Sequence, residues 1–156
     1  MIRLLPGGMS AIREATPIDI HEIRNLLRKH DLRTEGVLEP GTRYWVALND
    51  EGIVGAIGLE PGDTSVLLRS AIVHPDWRGN GLGRELTESA LTWARAAGYR
   101  VAYCFSTDAG TYWISRGFRA CPVNDVVQAL PKSQQVELFA RLGWLPTEEA
   151  FQINLL

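Results

Sequence analysis

The sequence predicts a mixed α/β (α+β) domain built on a central sheet of six to seven strands flanked by helices. Three observations carry that prediction. Apolar runs of strand length alternate with stretches of helical periodicity. Two of the strand-length runs are joined by a short polar turn, so the sheet cannot be purely parallel. The length of 156 residues suits one ordinary domain.

The elements follow in order. Ala11 to Glu14 reads as a short strand. Thr16-Pro17 opens a helix, with Thr16 as N-cap, Pro17 at the first helical position and Asp19 in the first turn. Ile20, Ile23, Leu26 and Leu27 recur at helical spacing and carry it to about Lys29. Leu32 to Pro40 is irregular or a second short helix. Tyr44 to Leu48 and Ile53 to Leu59 form a hairpin around Asn49-Asp50-Glu51-Gly52. Gly55 and Gly58 are unusual inside a strand and suggest close packing or a bulge. Ser65 to Val73 is a long strand, stopped by Pro75. Gly81 to Ala97 is a helix whose face is Leu82, Leu86, Ala90, Trp93, Ala94 and Ala97, with Gly98 as its C-cap. Arg100 to Phe105 is a strand, Asp108 to Arg116 a short helix and Phe118 to Pro122 a strand. Pro131 to Arg141 is a helix and Ala150 to Leu155 the last strand.

Composition narrows the function. A chain 46% hydrophobic and 22% charged is globular in type, and a formal net charge of -2 does not mark a nucleic-acid or membrane-surface binder. Cys104 and Cys121 stand among apolar or aromatic neighbours and read as buried small hydrophobes in a reducing compartment. His21, His30 and His74 have no metal-ligand spacing, so no metal is expected. No stretch reaches the roughly 20 apolar residues that span a bilayer, and no signal peptide opens the chain. The expectation is a cytoplasmic protein: residues 1–9 an N-terminal extension, with Met9 an alternative start, and residues 10–156 a single domain.

The informative segment is Arg78-Gly79-Asn80-Gly81-Leu82-Gly83-Arg84, between a strand and a helix. Glycines let the backbone curl with its N–H groups turned inward. With the positive end of the next helix they form an anion site. Arg78 and Arg84 add cationic donors, and a diphosphate suits the whole. A Walker loop requires Gly-Lys-Ser/Thr, and here Gly83 is followed by Arg84-Glu85. A dinucleotide fingerprint requires a third glycine where Arg84 stands.

Arg78-x-x-Gly81-x-Gly83, after Val73-His74-Pro75 and Trp77, resembles the signature of the Gcn5-related N-acetyltransferase (GNAT) superfamily. The family's second landmark, an aromatic followed by Gly-Phe, is met by Tyr112-Trp113-Ile114-Ser115-Arg116-Gly117-Phe118. The resemblance covers nearly the whole chain from Ala11. It implies a GNAT fold, splayed at the strands ending near Val73 and Phe105, and acetyl-CoA as co-substrate. It assigns Arg78, Gly79, Asn80, Gly81, Leu82, Gly83 and Arg84 to the pyrophosphate, and the backbone of Ile72 and Val73 to the pantetheine arm. An N–H there can also hold the developing oxyanion.

The acid and base are less uniform. Relatives place a Tyr four residues before the glycine of Gly-Phe, and here that residue is Trp113. Tyr112, one residue earlier, is either a general acid on a rotated helix or a packed aromatic. Glu60 is either a general base or a solvated turn residue. Arg69, with Ser70 beside it, either anchors the acid group of an amino-acid-like substrate or forms an ion pair across the sheet.

Leu67-Leu68-Arg69-Ser70, Leu32 to Gly36 and Val54 to Glu60 are similar to the arsenic-resistance-associated N-acetyltransferases. The tail from Ala129-Leu130-Pro131-Lys132-Ser133 is similar to the acetyltransferase domain of N-acetylglutamate synthase. Both resemblances imply a small amino-acid-like amine as acceptor. The competing readings are a protein or peptide acetyltransferase and a non-catalytic acyl-CoA-binding module. A homodimer is compatible with each.

Overall fold

The computed structural model describes residues 11–156; the boundary expected between residues 9 and 10 lies outside the described residues. Seven strands and five α-helices are present among them. They are β1 (Ala11–Glu14), α1 (Ile20–Lys29), β2 (Arg43–Asn49), β3 (Gly52–Pro61), β4 (Ser65–Val73), α2 (Leu82–Ala96) and β5 (Val101–Ser106). Then follow α3 (Gly110–Ser115), β6 (Arg119–Cys121), α4 (Val123–Ala129), α5 (Gln134–Leu142) and β7 (Glu149–Asn154). The strand order is β1-β2-β3-β4-β5-β7-β6. The β4–β5 pair is parallel, whereas β1–β2, β2–β3, β5–β7 and β6–β7 are antiparallel. The sheet is therefore mixed, as the hairpin required.

The described residues divide into two compact units, one of residues 11–59 plus Ser70–Ala90, the other of Glu60–Arg69 plus Leu91–Leu156. In the first, α1 turns Ile23, Leu26 and Leu27 inward to meet Val37, Tyr44, Val46, Ala56 and Ile72. Each fully buried aliphatic side chain there contributes about 1.5–3 kcal/mol. The helix is entered through a single 3-10 turn, Pro17–Asp19. Asp19 fixes that entry: its carboxylate accepts from the Thr16 backbone N–H at 2.8 Å and from both Nη atoms of Arg13 at 2.7 and 2.9 Å. In the second unit Leu67, Tyr103, Val126, Leu130, Val136 and Ala150 form the core.

Of the two forms expected of Leu32 to Pro40 the irregular one is found; Leu38 takes φ 51°, which a helix cannot accommodate. Other elements depart from expectation. The segment 123–129 is helical although Val123, Val126 and Val127 are poor helix formers. Burial of Val126, and of Leu130 just beyond the helix, outweighs that propensity. The next helix begins at Gln134 rather than Pro131, because Ser133 is its N-cap and accepts from the Val136 N–H at 3.1 Å. On α2, Leu82, Leu86 and Ala90 are buried as expected, and so are Thr87 and Leu91. Ala97 is exposed and Trp93 only half-buried. Gly98 closes the helix at φ 89°, with the Tyr99 N–H bonded to the Ala94 carbonyl at 3.0 Å.

Candidate active site

β4 ends at Val73, where the His74 N–H donates to the Val54 carbonyl of β3 at 2.7 Å. A 3-10 turn, Pro75–Trp77, follows because Pro75 cannot extend the ladder. Two side chains then shape the loop. Arg78 Nε donates back to the Val73 carbonyl at 3.0 Å, and Asn80 Nδ2 donates to the Trp77 carbonyl at 3.1 Å. Gly79 and Gly81 take φ 82° and 78°. A Cβ on either would meet nothing within 4 Å, so the backbone sign, not crowding, demands glycine. An L-residue in that region costs about 1–2 kcal/mol.

Helix α2 starts immediately afterwards, and Leu82, 1% exposed, seats its first turn in the core. The first N–H groups of a helix lack intrahelical acceptors and carry the positive end of its dipole. Open space over both glycines, donors on the helix end and the exposed Arg78 and Arg84 side chains make a shallow cradle for a diphosphate.

The strand leading into this loop is kinked. The β4–β5 register runs from Ser65↔Val101 to Leu68↔Cys104. Two residues later Ser70 takes φ 56°, a left-handed conformation that costs a non-glycine residue about 1–3 kcal/mol. The Tyr44 hydroxyl lies 3.1 Å from Ser70 Oγ. Past the kink, extended residues turn their N–H and C=O groups to alternate edges. His74 N–H faces β3, so Val73 and Ala71 face the opposite edge. The Ile72 carbonyl is directed at β3, 3.1 Å from where a Cβ on Gly55 would stand. Of the two residues expected to offer backbone groups to an extended ligand, Val73 turns them away from β3 and Ile72 turns its carbonyl toward it.

Glu60 and Arg69 are brought together in the second unit. Glu60 Oε2 lies 3.5 Å from Arg69 Nη1, with both side chains buried. Glu60 also accepts from Ser133 Oγ at 3.1 Å and from the backbone N–H groups of Gln134 and Gln135 at 2.7 and 3.2 Å. These are the first N–H groups of α5, where a carboxylate is favoured by the dipole. Glu60 is thus neither a solvated turn residue nor an idle carboxylate; it anchors the start of a helix. For Arg69 the ion pair across the sheet is the arrangement found.

Tyr112 and Trp113 lie on α3 in the same unit. Trp113 is buried, edge-on to Phe118 at 5.1 Å, and the Phe118 N–H donates to the Trp113 carbonyl at 3.0 Å. Gly117 makes that reversal at φ 95°. Trp113 has become core, which explains how an indole replaces a phenol at this position. Tyr112 is half-buried, with its ring 5.1 Å from Trp113 and nearly perpendicular to it. Burial pushes the Cys104 thiol up, and burial together with Asp125 does the same for Cys121. Both thiols therefore stay protonated near neutrality and are poor nucleophiles. Among the described residues no three His, Cys, Asp or Glu side chains are placed to hold a metal ion.

Two participants escaped the sequence reading. Ser133 fell inside the helix expected from Pro131, which hid its place as the N-cap. Tyr44 carried no local signal beyond the glycine that faces it across the hairpin, Gly58.

The model of the acetyltransferase (GNAT) domain family matches residues 40–120, more than half of the chain. No curated protein matches the sequence. Among solved structures, a GNAT-family acetyltransferase of Staphylococcus aureus superposes with a TM-score of 0.75 at 18% identity, covering 94% of this chain and 99% of that one. N-acetylglutamate synthase of Neisseria gonorrhoeae, complexed with coenzyme A and N-acetyl-glutamate, gives 0.77 at 20% identity over 94% of this chain. This chain spans only 35% of that enzyme's length. A Mycobacterium tuberculosis protein in complex with CoA gives 0.71 at 19% identity, covering 93% and 99%.

Proposed function

The chain belongs to the GNAT acetyltransferase family, and from that premise we propose that it acetylates the amine of a small amino-acid-like substrate. It is an acetyl-CoA-dependent acyltransferase. In the reaction a neutral amine attacks the thioester carbonyl, the new C–N bond forms and the C–S bond breaks. One proton leaves the amine and one reaches the departing thiolate.

The observation that carries this reading is the loop, with left-handed Gly79 and Gly81, Arg78 and Arg84, at the start of α2. We assign Arg78 to Arg84 to the pyrophosphate. The Val73 N–H, turned away from β3, is assigned to the thioester carbonyl, where it would stabilise the negative charge that develops on oxygen. Tyr112 is assigned as the donor to the thiolate, since Trp113 has no phenol to offer.

The acceptor reading is supported by two structurally similar proteins solved with CoA, one of them also with N-acetyl-glutamate. A carboxylate on the acceptor would have to share the Arg69 guanidinium with Glu60, and the buried Glu60 contact favours a structural role for Arg69. Glu60 already accepts from four donors, which favours the same role over proton transfer. A cytoplasmic location belongs to this reading and is supported by two unpaired cysteines. Release of CoA thiol from acetyl-CoA, measured against a panel of amino acids and peptides, tests it. Turnover with an amino acid is expected. Turnover with peptides alone points to a protein acetyltransferase, and CoA binding without turnover on any amine points to a binding module.

A further inference from the structure

Ser70 holds a backbone conformation that side chains rarely adopt, in the middle of a strand. Such a residue persists only where its surroundings over-determine it. Two residues of the first unit do so. Tyr44, fully buried on β2, brings its hydroxyl to 3.1 Å from Ser70 Oγ. Gly58, the cross-strand partner of Tyr44 on β3, makes the room. A Cβ on Gly58 would stand 2.5 Å from Tyr44 Cζ and 2.8 Å from its hydroxyl oxygen. The tyrosine ring therefore lies across the glycine, and this is why glycine stands in the buried middle of β3.

We propose that Tyr44 is a positioning residue: through Ser70, and over the slot left by Gly58, it fixes the kink that decides which backbone groups of β4 face the acyl-CoA. A left-handed residue inside a strand acts as a bulge and shifts the alternation of N–H and C=O groups by one. With the kink in place, His74 N–H meets β3 and Val73 faces the other edge. Without it, the alternation past Ser70 slips by one residue and Val73 turns toward β3. The Tyr44–Ser70 contact thus sets the direction of an N–H three residues further along the strand. The inference rests on the proposed function, since it is the acyl-CoA that reads this edge.

The test uses the full chain and four proteins: wild type, Tyr44→Phe, Ser70→Ala and the double variant Tyr44→Phe/Ser70→Gly. CoA affinity by calorimetry and the acetyl-CoA KM are read beside the melting temperature. Removing either hydroxyl is expected to weaken CoA binding and raise the acetyl-CoA KM about tenfold, the effect of one partly buried hydrogen bond. Glycine adopts the left-handed conformation without strain. The double variant should therefore recover wild-type affinity to within about twofold, although its hydroxyl pair is gone. A purely structural tyrosine predicts something else: a lower melting temperature with CoA affinity unchanged, or a loss that Ser70→Gly does not restore. Either result overturns the inference while the function stands. A wild-type protein that does not bind CoA overturns the proposed function itself, and the inference with it.

Discussion

Glu60 Oε2 and Arg69 Nη1 are 3.5 Å apart, and both side chains are buried. The same carboxylate receives the first N–H groups of α5, so one residue ties β3, β4 and a helix of the second unit. Breaking one side of a buried pair leaves an uncompensated charge and costs about 3–5 kcal/mol. Glu60→Ala is therefore expected to lower the urea midpoint sharply. Glu60→Ala combined with Arg69→Met should lose less than Glu60→Ala alone, because no charge is stranded. A general base behaves in the opposite way: kcat collapses in Glu60→Gln while the unfolding midpoint holds.

Arg69→Met addresses the acceptor. If Arg69 anchors an acid group, the acceptor KM rises strongly and the acetyl-CoA KM barely moves. If its work is to balance Glu60, stability falls and both KM values of the folded fraction stay close to wild type. Steady-state kinetics on both substrates, with a parallel denaturation curve, decides between them.

Arg78 joins the strand end to the loop through Nε and presents the rest of its guanidinium to solvent. Arg78→Ala should raise the acetyl-CoA KM by about 10–100-fold, the range of one hydrogen bond to a charged group. Arg78→Lys should recover only part, since lysine keeps the charge and has no Nε to give to the Val73 carbonyl. Gly81→Ala should weaken CoA binding through backbone strain alone, as the added Cβ meets nothing within 4 Å. Equal CoA affinity in all three variants would remove the loop from the cofactor site.

The sequence made the loop legible because its chemistry is local. Glycines of positive φ, flanking arginines and a helix start all lie within seven residues. The β4 boundaries were legible for the same reason: Ser65 to Val73 is a strand-length run, apolar apart from Ser65, Arg69 and Ser70, between a turn and Pro75. What stayed hidden depends on contacts distant in sequence. Glu60 meets Ser133 and Gln134 across more than 70 positions, and no periodicity announces that a carboxylate at a strand end will cap a helix. Gly58 drew attention as an odd residue in a strand, but its reason is a tyrosine on the neighbouring strand. The helix at 123–129 went unassigned because its valines are poor helix formers, and tertiary burial of Val126 overrode the local preference.

Tyr112 is the one phenol near the landmark that relatives fill with tyrosine. Tyr112→Phe should lower kcat at least tenfold if the phenol donates to the thiolate, with the acetyl-CoA KM unchanged, since general acid catalysis contributes about 10²–10⁴-fold. Trp113→Phe should instead act on stability, because Trp113 is packed against Phe118 in the core. A Tyr112→Phe enzyme with full kcat assigns Tyr112 to packing and leaves the thiolate to be protonated by water.

The entry to α1 predicts how the fold responds to acid. Arg13 and the Thr16 N–H hold the Asp19 carboxyl below its ordinary value of 3.8, against the opposing effect of burial. A carboxyl depressed in the folded state adds stability that is fully present above the unfolded pKa. That stability is lost as pH falls through the lower, folded one. The difference in urea midpoint between wild type and Asp19→Asn should therefore be constant from pH 7 down to about 4. Below that it should shrink, and the two proteins should converge once Asp19 is protonated in the native state. Arg13→Met should flatten this dependence, since the arginine is its largest cause. A gap between wild type and Asp19→Asn that stays constant to pH 2 would mean that the carboxylate contributes by hydrogen-bond geometry at the Thr16 cap rather than by its charge.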